Sequence, residues 1–358
     1  MITWFWLLVG LTILTVGAEL LVRGAVGLAA ALRVSPLVIG LTVVAFGTSA
    51  PELVVSLEST FSGRGEIALG NVIGSNVFNV LVILGLSAVI VPLRVDRQLV
   101  RLDVPLMIGV SVAVYGMCLD GQIDRLEGGL LAAGLISYTI WSIRKSRQDT
   151  AAAVAGDEPL PSPEEEGKPA RLLLNALLVA GGLGLMVLGA DWFVGAAVEL
   201  ARRWGFSELV IGLTLVAAGT SLPEVATSVV AAVKGERDLA VGNVVGSNLF
   251  NLMCVLGFTG LLAPAGIPVG TEAIQQDLPV MVLVAVACLP VFLIGHTIER
   301  WEGLVLLAFY GLYTSALVCE AQGRLDTLAT ISTIAWILGA LAVAAYVGSL
   351  VRQLRAGR

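Results

Sequence analysis

Glu52 and Glu224 close two near-copies of one phrase, GLTVVAFGTSAPE (Gly40–Glu52) and GLTLVAAGTSLPE (Gly212–Glu224). Each is an apolar run ending in a glycine, two hydroxyls, a proline and a carboxylate. The chemistry on offer is oxygen ligation. Pro51 has no N–H, so the Gly47 carbonyl four residues back loses its helical donor. The ring also turns Ala50 away from helical geometry, and Gly47 adds backbone freedom. In lipid a freed carbonyl needs another partner, and a cation can serve. Thr48 and Ser49 add hydroxyls, and Glu52 adds a charge. Gly219, Thr220, Ser221, Pro223 and Glu224 repeat the set. Hard cations such as Na⁺ and Ca²⁺ take oxygen ligands of these kinds. Two glutamates facing one another supply the charge of one Ca²⁺.

A second phrase follows each, GNVIGSNVFN (Gly70–Asn79) and GNVVGSNLFN (Gly242–Asn251). Ser75 and Asn79 share a helix face, as do Ser247 and Asn251. Asn71, Asn76, Asn243 and Asn248 add amides. Gly70 with Gly74, and Gly242 with Gly246, make small-xxx-small faces that let these helices approach the glutamate helices closely. Any one of these residues also suits ordinary packing; the recurrence of the whole constellation argues for ligation. The other polar residues read as structural. Glu19 pairs with Arg23 four residues on, and Asp191 is its counterpart. Asp103 and Asp277 each precede a proline and read as helix caps. Glu58 faces a loop, and His296, the only histidine, lies at a helix end, which speaks against a histidine proton relay.

The elements that position these groups follow from composition. Of 358 residues 57% are hydrophobic and 13% charged, against about 25% charged in a soluble domain. The chain therefore reads as an all-α, polytopic membrane protein, and its net charge of −6 gives no reason to expect nucleic acid as a partner. Four scattered cysteines, Cys118, Cys254, Cys288 and Cys319, read as small apolar fillers. Runs of spanning length lie near 3–30, 36–61, 67–90, 103–120 and 126–144, then 171–200, 208–233, 239–262, 277–296 and 302–320, with a last one at 328–351. Since MITWFWLL lacks a basic flank, it reads as the first span and not as a cleaved signal. Arg33, Arg94, Arg97, Arg101, Arg144, Lys145, Arg147, Arg352, Arg355 and Arg358 all fall on one side, which the positive-inside rule makes cytoplasmic. The N-terminus is then outside and the C-terminus cytoplasmic; Arg202 and Arg203 run against the rule.

Shifted by 172 residues the chain aligns with itself, with roughly half the positions from Pro36 to Ser87 identical. Asp103-Val104-Pro105 resembles Asp277-Leu278-Pro279, and Asp124–Gly128 resembles Glu299–Gly303. The expected organisation is a first five-helix repeat over 1–145, an acidic cytoplasmic loop over 146–170, a second repeat over 171–322, and an extra C-terminal helix with a basic tail over 323–358. Five is odd, so the second repeat enters from the opposite side. Inverted repeats with interrupted helices mark secondary transporters, with sites near the midplane.

At these residues the sequence resembles the calcium/cation antiporter superfamily, on its prokaryotic sodium/calcium exchanger branch. Two GTSxPE segments, each followed by GNxxGSNxxN, carry the resemblance across both repeats. It implies a ten-helix core with a cation site between spans 2, 3, 7 and 8, past which spans 1 and 6 slide. It implies Glu52 and Glu224 as shared carboxylates, with Thr48, Ser49, Ser75, Asn79, Thr220, Ser221, Ser247 and Asn251 as further ligands, and the backbone carbonyls of Ala45, Thr48, Ala217 and Thr220. Some relatives carry Asp at the place of Asn251; Asn in both repeats points to a potassium-independent exchanger. The loop over 146–170 is too short for the folded calcium-sensing insert of large animal members.

The resulting expectation is a plasma- or inner-membrane antiporter moving Na⁺ against Ca²⁺ by alternating access, with no cofactor beyond its transported ions. Exchange of Ca²⁺ for H⁺ through the same glutamates is the nearest alternative, because a buried Glu can titrate near neutrality. A channel fits the inverted repeat less well. An intramembrane hydrolase lacks a histidine or lysine base beside Ser49 and Ser221.

Overall fold

A computed structural model describes residues 2–154, 169–206, 208–293 and 295–356. A helical crossing needs about 20 apolar residues. Among the described residues nine single helices meet that requirement. They are span 1 (Ile2–Leu32), span 3 (Gly65–Ile90), span 4 (Leu99–Asp120), span 5 (Arg125–Val154), span 6 (Pro169–Arg203), span 8 (Arg237–Leu262), span 9 (Ala273–Leu293), span 10 (Arg300–Ala321) and span 11 (Leu325–Ala356). Span 2 is a pair, Pro36–Thr48 and Ala50–Phe61, bent by 42°. Its counterpart, span 7, runs from Glu208 to Gly219, turns at Thr220 and Ser221, and resumes as Leu222–Val233. Ten of the eleven expected spans are thus long and apolar enough to cross a membrane, counting the bent span 2 as one, and the remaining one, span 7, is there as two shorter pieces.

Three details depart from expectation. Ala50 is helical, and the break falls one residue earlier, at Ser49 (φ −84°, ψ 7°) and likewise at Ser221 (φ −89°, ψ 6°). Proline is tolerated in the first turn of a helix, where its missing N–H is not needed, so Pro51 starts the trailing half and leaves the serine to absorb the turn. Asp103 and Asp277 are not caps. Asp103 lies inside a continuous helical run and is fully buried; it accepts hydrogen bonds from Tyr138 Oη at 2.9 Å and Gln98 Nε2 at 3.2 Å. Tyr313 repeats the contact to Asp277 at 3.5 Å, so the pair ties span 4 to span 5 and span 9 to span 10. The span 5 helix also continues through Ser146 to Val154, into the stretch expected to be loop; the acidic segment over 155–168 lies outside the described residues.

Short strands record the inversion. Leu93–Arg94 (β1) lies between spans 3 and 4, Gln122–Ile123 (β2) between spans 4 and 5, Ile267–Pro268 (β3) between spans 8 and 9, and Thr297–Ile298 (β4) between spans 9 and 10. β1 pairs with β4 and β2 with β3, both antiparallel. Each loop of one repeat therefore meets the non-equivalent loop of the other, which requires the repeats to run in opposite senses. Parallel repeats would bring equivalent loops to the same face.

Spans 3 and 8 are the buried centre, and Leu239–Phe250 of span 8 is buried at every residue. Spans 1 and 6 pack antiparallel on a glycine ladder. A Cβ on Gly10 would lie 2.6 Å from Phe193 N, one on Gly17 2.8 Å from Gly182 O, and one on Gly24 2.8 Å from Asn175 O. At those separations only glycine lets the two backbones touch. Glu19 pairs with Arg23 as expected, and also with Lys234 at the end of span 7, at 2.8 Å.

Candidate cation site

The two helix breaks face each other across the repeat axis. Ser49 Oγ donates to Glu224 Oε1 at 3.1 Å, and Ser221 Oγ donates to Glu52 Oε1 at 3.1 Å. Each serine thus serves the carboxylate of the opposite repeat. Ser221 Oγ also lies 3.4 Å from Ser75 Oγ, which brings span 3 into the cluster. Thr48, Ser49, Glu52, Ser75, Asn79, Ser221, Glu224, Ser247 and Asn251 are all buried, and Thr220 is half-buried. Ala217 begins the last helical turn before the second break.

Buried polar atoms in folded proteins normally have partners. Among the described residues ten buried side-chain oxygens have none, and six of them belong to this cluster: Glu52 Oε2, Glu224 Oε2, Asn79 Oδ1, Asn251 Oδ1, Thr220 Oγ1 and Ser247 Oγ. They come from both repeats. Neither glutamate forms an ion pair among the described residues. A carboxylate buried without a counter-charge is strongly disfavoured, so this arrangement suits a hard cation, for which six to eight oxygens is an ordinary shell. Two implied ligands are engaged otherwise: the Ala45 carbonyl accepts Ser49 N at 3.0 Å and Thr48 Oγ1 at 3.4 Å, and Thr48 Oγ1 is also within donating distance of Asn243 Oδ1 at 3.2 Å.

The amides outside the motif's two ligand positions stand behind the cluster. Asn71 Nδ2 donates to the Glu52 carbonyl at 3.1 Å and to Ser56 Oγ at 3.0 Å; Asn243 Nδ2 donates to the Glu224 carbonyl at 3.4 Å and to Ser228 Oγ at 3.0 Å. They hold the first turn of each glutamate helix against the neighbouring span. Ser56 and Ser228 escaped the sequence reading, although each lies four residues after its glutamate, on the same face. Helical geometry widens in matched places, as π-turns at Gly40–Val44 and Gly212–Val216, Asn79–Leu84 and Asn251–Val255, and Leu99–Asp103 and Ala273–Asp277. Single π-turns inside α-helices gather at functional sites, and here two of them start at the ligand-type asparagines.

The two repeats differ in closure. Gly242 and Gly246 are buried against the leading half of span 2; a Cβ on Gly246 would lie 2.7 Å from Leu41 Cα. Gly70 and Gly74 on span 3 are exposed. The expected close approach therefore occurs in the second repeat's motif and not in the first's. Next to the closed seam lies a polar cavity of about 370 Å³, lined in part by Ser35, Leu37, Asp96, Arg97 and Asp238.

The profile of the sodium/calcium exchanger protein family matches residues 2–144 and 174–319. The chain is 37% identical over 311 residues to a putative antiporter CaxA of Alkalimonas amylolytica, covering 85% of this chain and 95% of that one. It is 31% identical to the sodium/calcium exchanger MaX1 of Methanosarcina acetivorans, with the same coverage of 85% and 95%. The solved sodium-calcium exchanger NCX_Mj, soaked with zero Na⁺ and Ca²⁺, superposes with a TM-score of 0.73 at 30% identity, over 88% of this chain and 98% of that one. Fold and family together define a multi-pass membrane transporter of the cation antiporter class. The chain belongs to the sodium/calcium exchanger family.

Proposed function

We propose that this protein exchanges Na⁺ for Ca²⁺ across the cell membrane, with the ions held between Glu52 and Glu224. The observation that carries this reading is the set of six partnerless buried oxygens, two of them carboxylate, contributed by both repeats. Thr48, Ser49, Ser75, Asn79, Thr220, Ser221, Ser247 and Asn251 complete the ligand set, with the carbonyls of Ala45, Thr48, Ala217 and Thr220. Ala45 joins once the Thr48 hydroxyl turns to the ion. Ca²⁺ and a set of Na⁺ ions compete for these oxygens. Only a loaded site offsets the charge of −2 well enough to cross a low-dielectric barrier, so the empty carrier switches poorly and the fluxes are coupled. Ion binding shifts the balance between packings by differential affinity. With the N-terminus outside and the C-terminus in the cytoplasm, the exposed Gly70–Gly74 face lies on the outer side; an inward Na⁺ gradient would then drive Ca²⁺ out.

The test is ⁴⁵Ca²⁺ uptake into proteoliposomes loaded with Na⁺, beside vesicles with a pH gradient and no Na⁺. Uptake that needs internal Na⁺ supports the proposal. Uptake driven by the pH gradient alone replaces it with Ca²⁺/H⁺ exchange at the same carboxylates.

A further inference from the structure

Four buried asparagines and two methionines form a matched pair of relays across the repeat axis. Asn251 Nδ2 donates to Asn76 Oδ1 at 3.2 Å, and Asn76 Nδ2 lies 3.8 Å from Met281 Sδ. In the mirror relay Asn79 Nδ2 donates to Asn248 Oδ1 at 3.1 Å, and Asn248 Nδ2 lies 3.4 Å from Met107 Sδ. All six side chains are buried. Met107 and Met281 sit on spans 4 and 9, outside the glutamate and asparagine helices.

An asparagine amide presents an oxygen or an NH₂ of nearly the same shape. At a cation site the oxygen end attracts and the NH₂ end repels. Which end faces the ion is decided by where the NH₂ finds an acceptor. A thioether sulfur is a weak acceptor with no hydrogen to donate, so Met281 receives the NH₂ end of Asn76 and not its carbonyl. That leaves Asn76 Oδ1 turned to the NH₂ of Asn251, and Asn251 Oδ1 without a protein partner. The same logic runs from Met107 through Asn248 to Asn79 Oδ1, which is also partnerless. We infer that Asn76 and Asn248 are positioning residues for the transported cation, with polarity set by Met281 and Met107, and that they hold the Asn251 and Asn79 oxygens toward the ion. This rests on the reading of the site as the Na⁺ and Ca²⁺ site.

The experiment is a Ca²⁺ titration by calorimetry of the full-length chain in detergent, without Na⁺, on wild type, Asn76→Leu, Asn251→Ala and the double variant. Asn76→Leu leaves the Asn251 NH₂ without its acceptor, and the affinity for Ca²⁺ falls about tenfold, the effect of roughly one buried hydrogen bond. In the Asn251→Ala background Asn76→Leu has no further effect, because Asn76 acts through Asn251. Equal affinity in wild type and Asn76→Leu, or a loss that adds in full to that of Asn251→Ala, overturns the inference. Should Asn76→Leu fail to fold, Met281→Leu, a nearly volume-conserving change, carries the same cycle with an expected loss of about threefold. Absence of Ca²⁺ binding in wild type sinks the proposed site and this inference together; binding in wild type with an unaffected Asn76→Leu sinks this inference alone.

Discussion

A carboxylate held away from water with no counter-charge destabilises the protein that holds it until a cation or a proton neutralises it. Glu52 and Glu224 stand in that position, each with one oxygen hydrogen-bonded to a serine and one without a partner. Glu52→Gln and Glu224→Gln keep the shape and an acceptor for the serine but remove the charge. Each is expected to lower Na⁺-dependent ⁴⁵Ca²⁺ uptake at least about 100-fold while raising the melting temperature in ion-free detergent. Uptake near wild-type level in either variant rejects the two-glutamate mechanism. Asn71 and Asn243 each tie a glutamate carbonyl to a serine one turn on. Asn243→Ala leaves buried polar groups unmatched, and the expected loss is about 1–3 kcal/mol, measured by thermal unfolding.

At the scale of the element, the informative contrast is between equivalent glycines in unlike settings. Gly246 is sealed against span 2, where an added Cβ would also lie 2.8 Å from Ala45 Cβ, whereas Gly74 is exposed. Gly246→Ala is expected to push the leading half of span 2 off span 8. A cysteine introduced at Leu37 should then react severalfold faster with a water-soluble maleimide, while Gly74→Ala leaves that rate unchanged. Equal rates in all three backgrounds would show that the seam is not what closes that side. The aspartates of spans 4 and 9 make a second element-scale contact. Tyr138→Phe removes one of two hydrogen bonds to the buried Asp103, with an expected loss of about 1.5–3 kcal/mol, the range for a bond to a charged group.

The whole molecule is two copies of one unit locked in opposite senses by β1–β4 and β2–β3, joined by the glycine ladder of spans 1 and 6 and by the Glu19–Lys234 pair. That pair is partly exposed on both sides, so Lys234→Ala should leave the melting temperature nearly unchanged. The proposed cation binding would act on the assembly. If Ca²⁺ binds the folded chain alone, a concentration about 100 times Kd adds about 2.7 kcal/mol of stability, read as a rise in melting temperature that the Glu→Gln variants lack. The orientation is tested by reporter fusions: a cytoplasmic reporter after Arg358 should be active and a periplasmic one silent.

The membrane setting, the repeat and its inversion are legible in the chain alone, because hydropathy, run length and the parity of five are one-dimensional quantities. The polar residues of the candidate site are legible there too, since GTSxPE and GNxxGSNxxN recur at a constant offset. Packing sets which partner each group takes. Ser49 serves the glutamate of the other repeat and not its own, an association 175 residues away that no local pattern encodes. Asp103 reads as a cap from Asp-x-Pro but is a buried acceptor for Tyr138, because span 5 packs beside it. Met107 and Met281 recur in DVPLM and DLPVM, a signal that is present in the sequence yet silent until packing sets each sulfur against an amide. Closure, too, belongs to the fold: equivalent glycine pairs are sealed in one repeat and exposed in the other, because two similar halves can occupy unequal packings that the shared glycine motif does not distinguish.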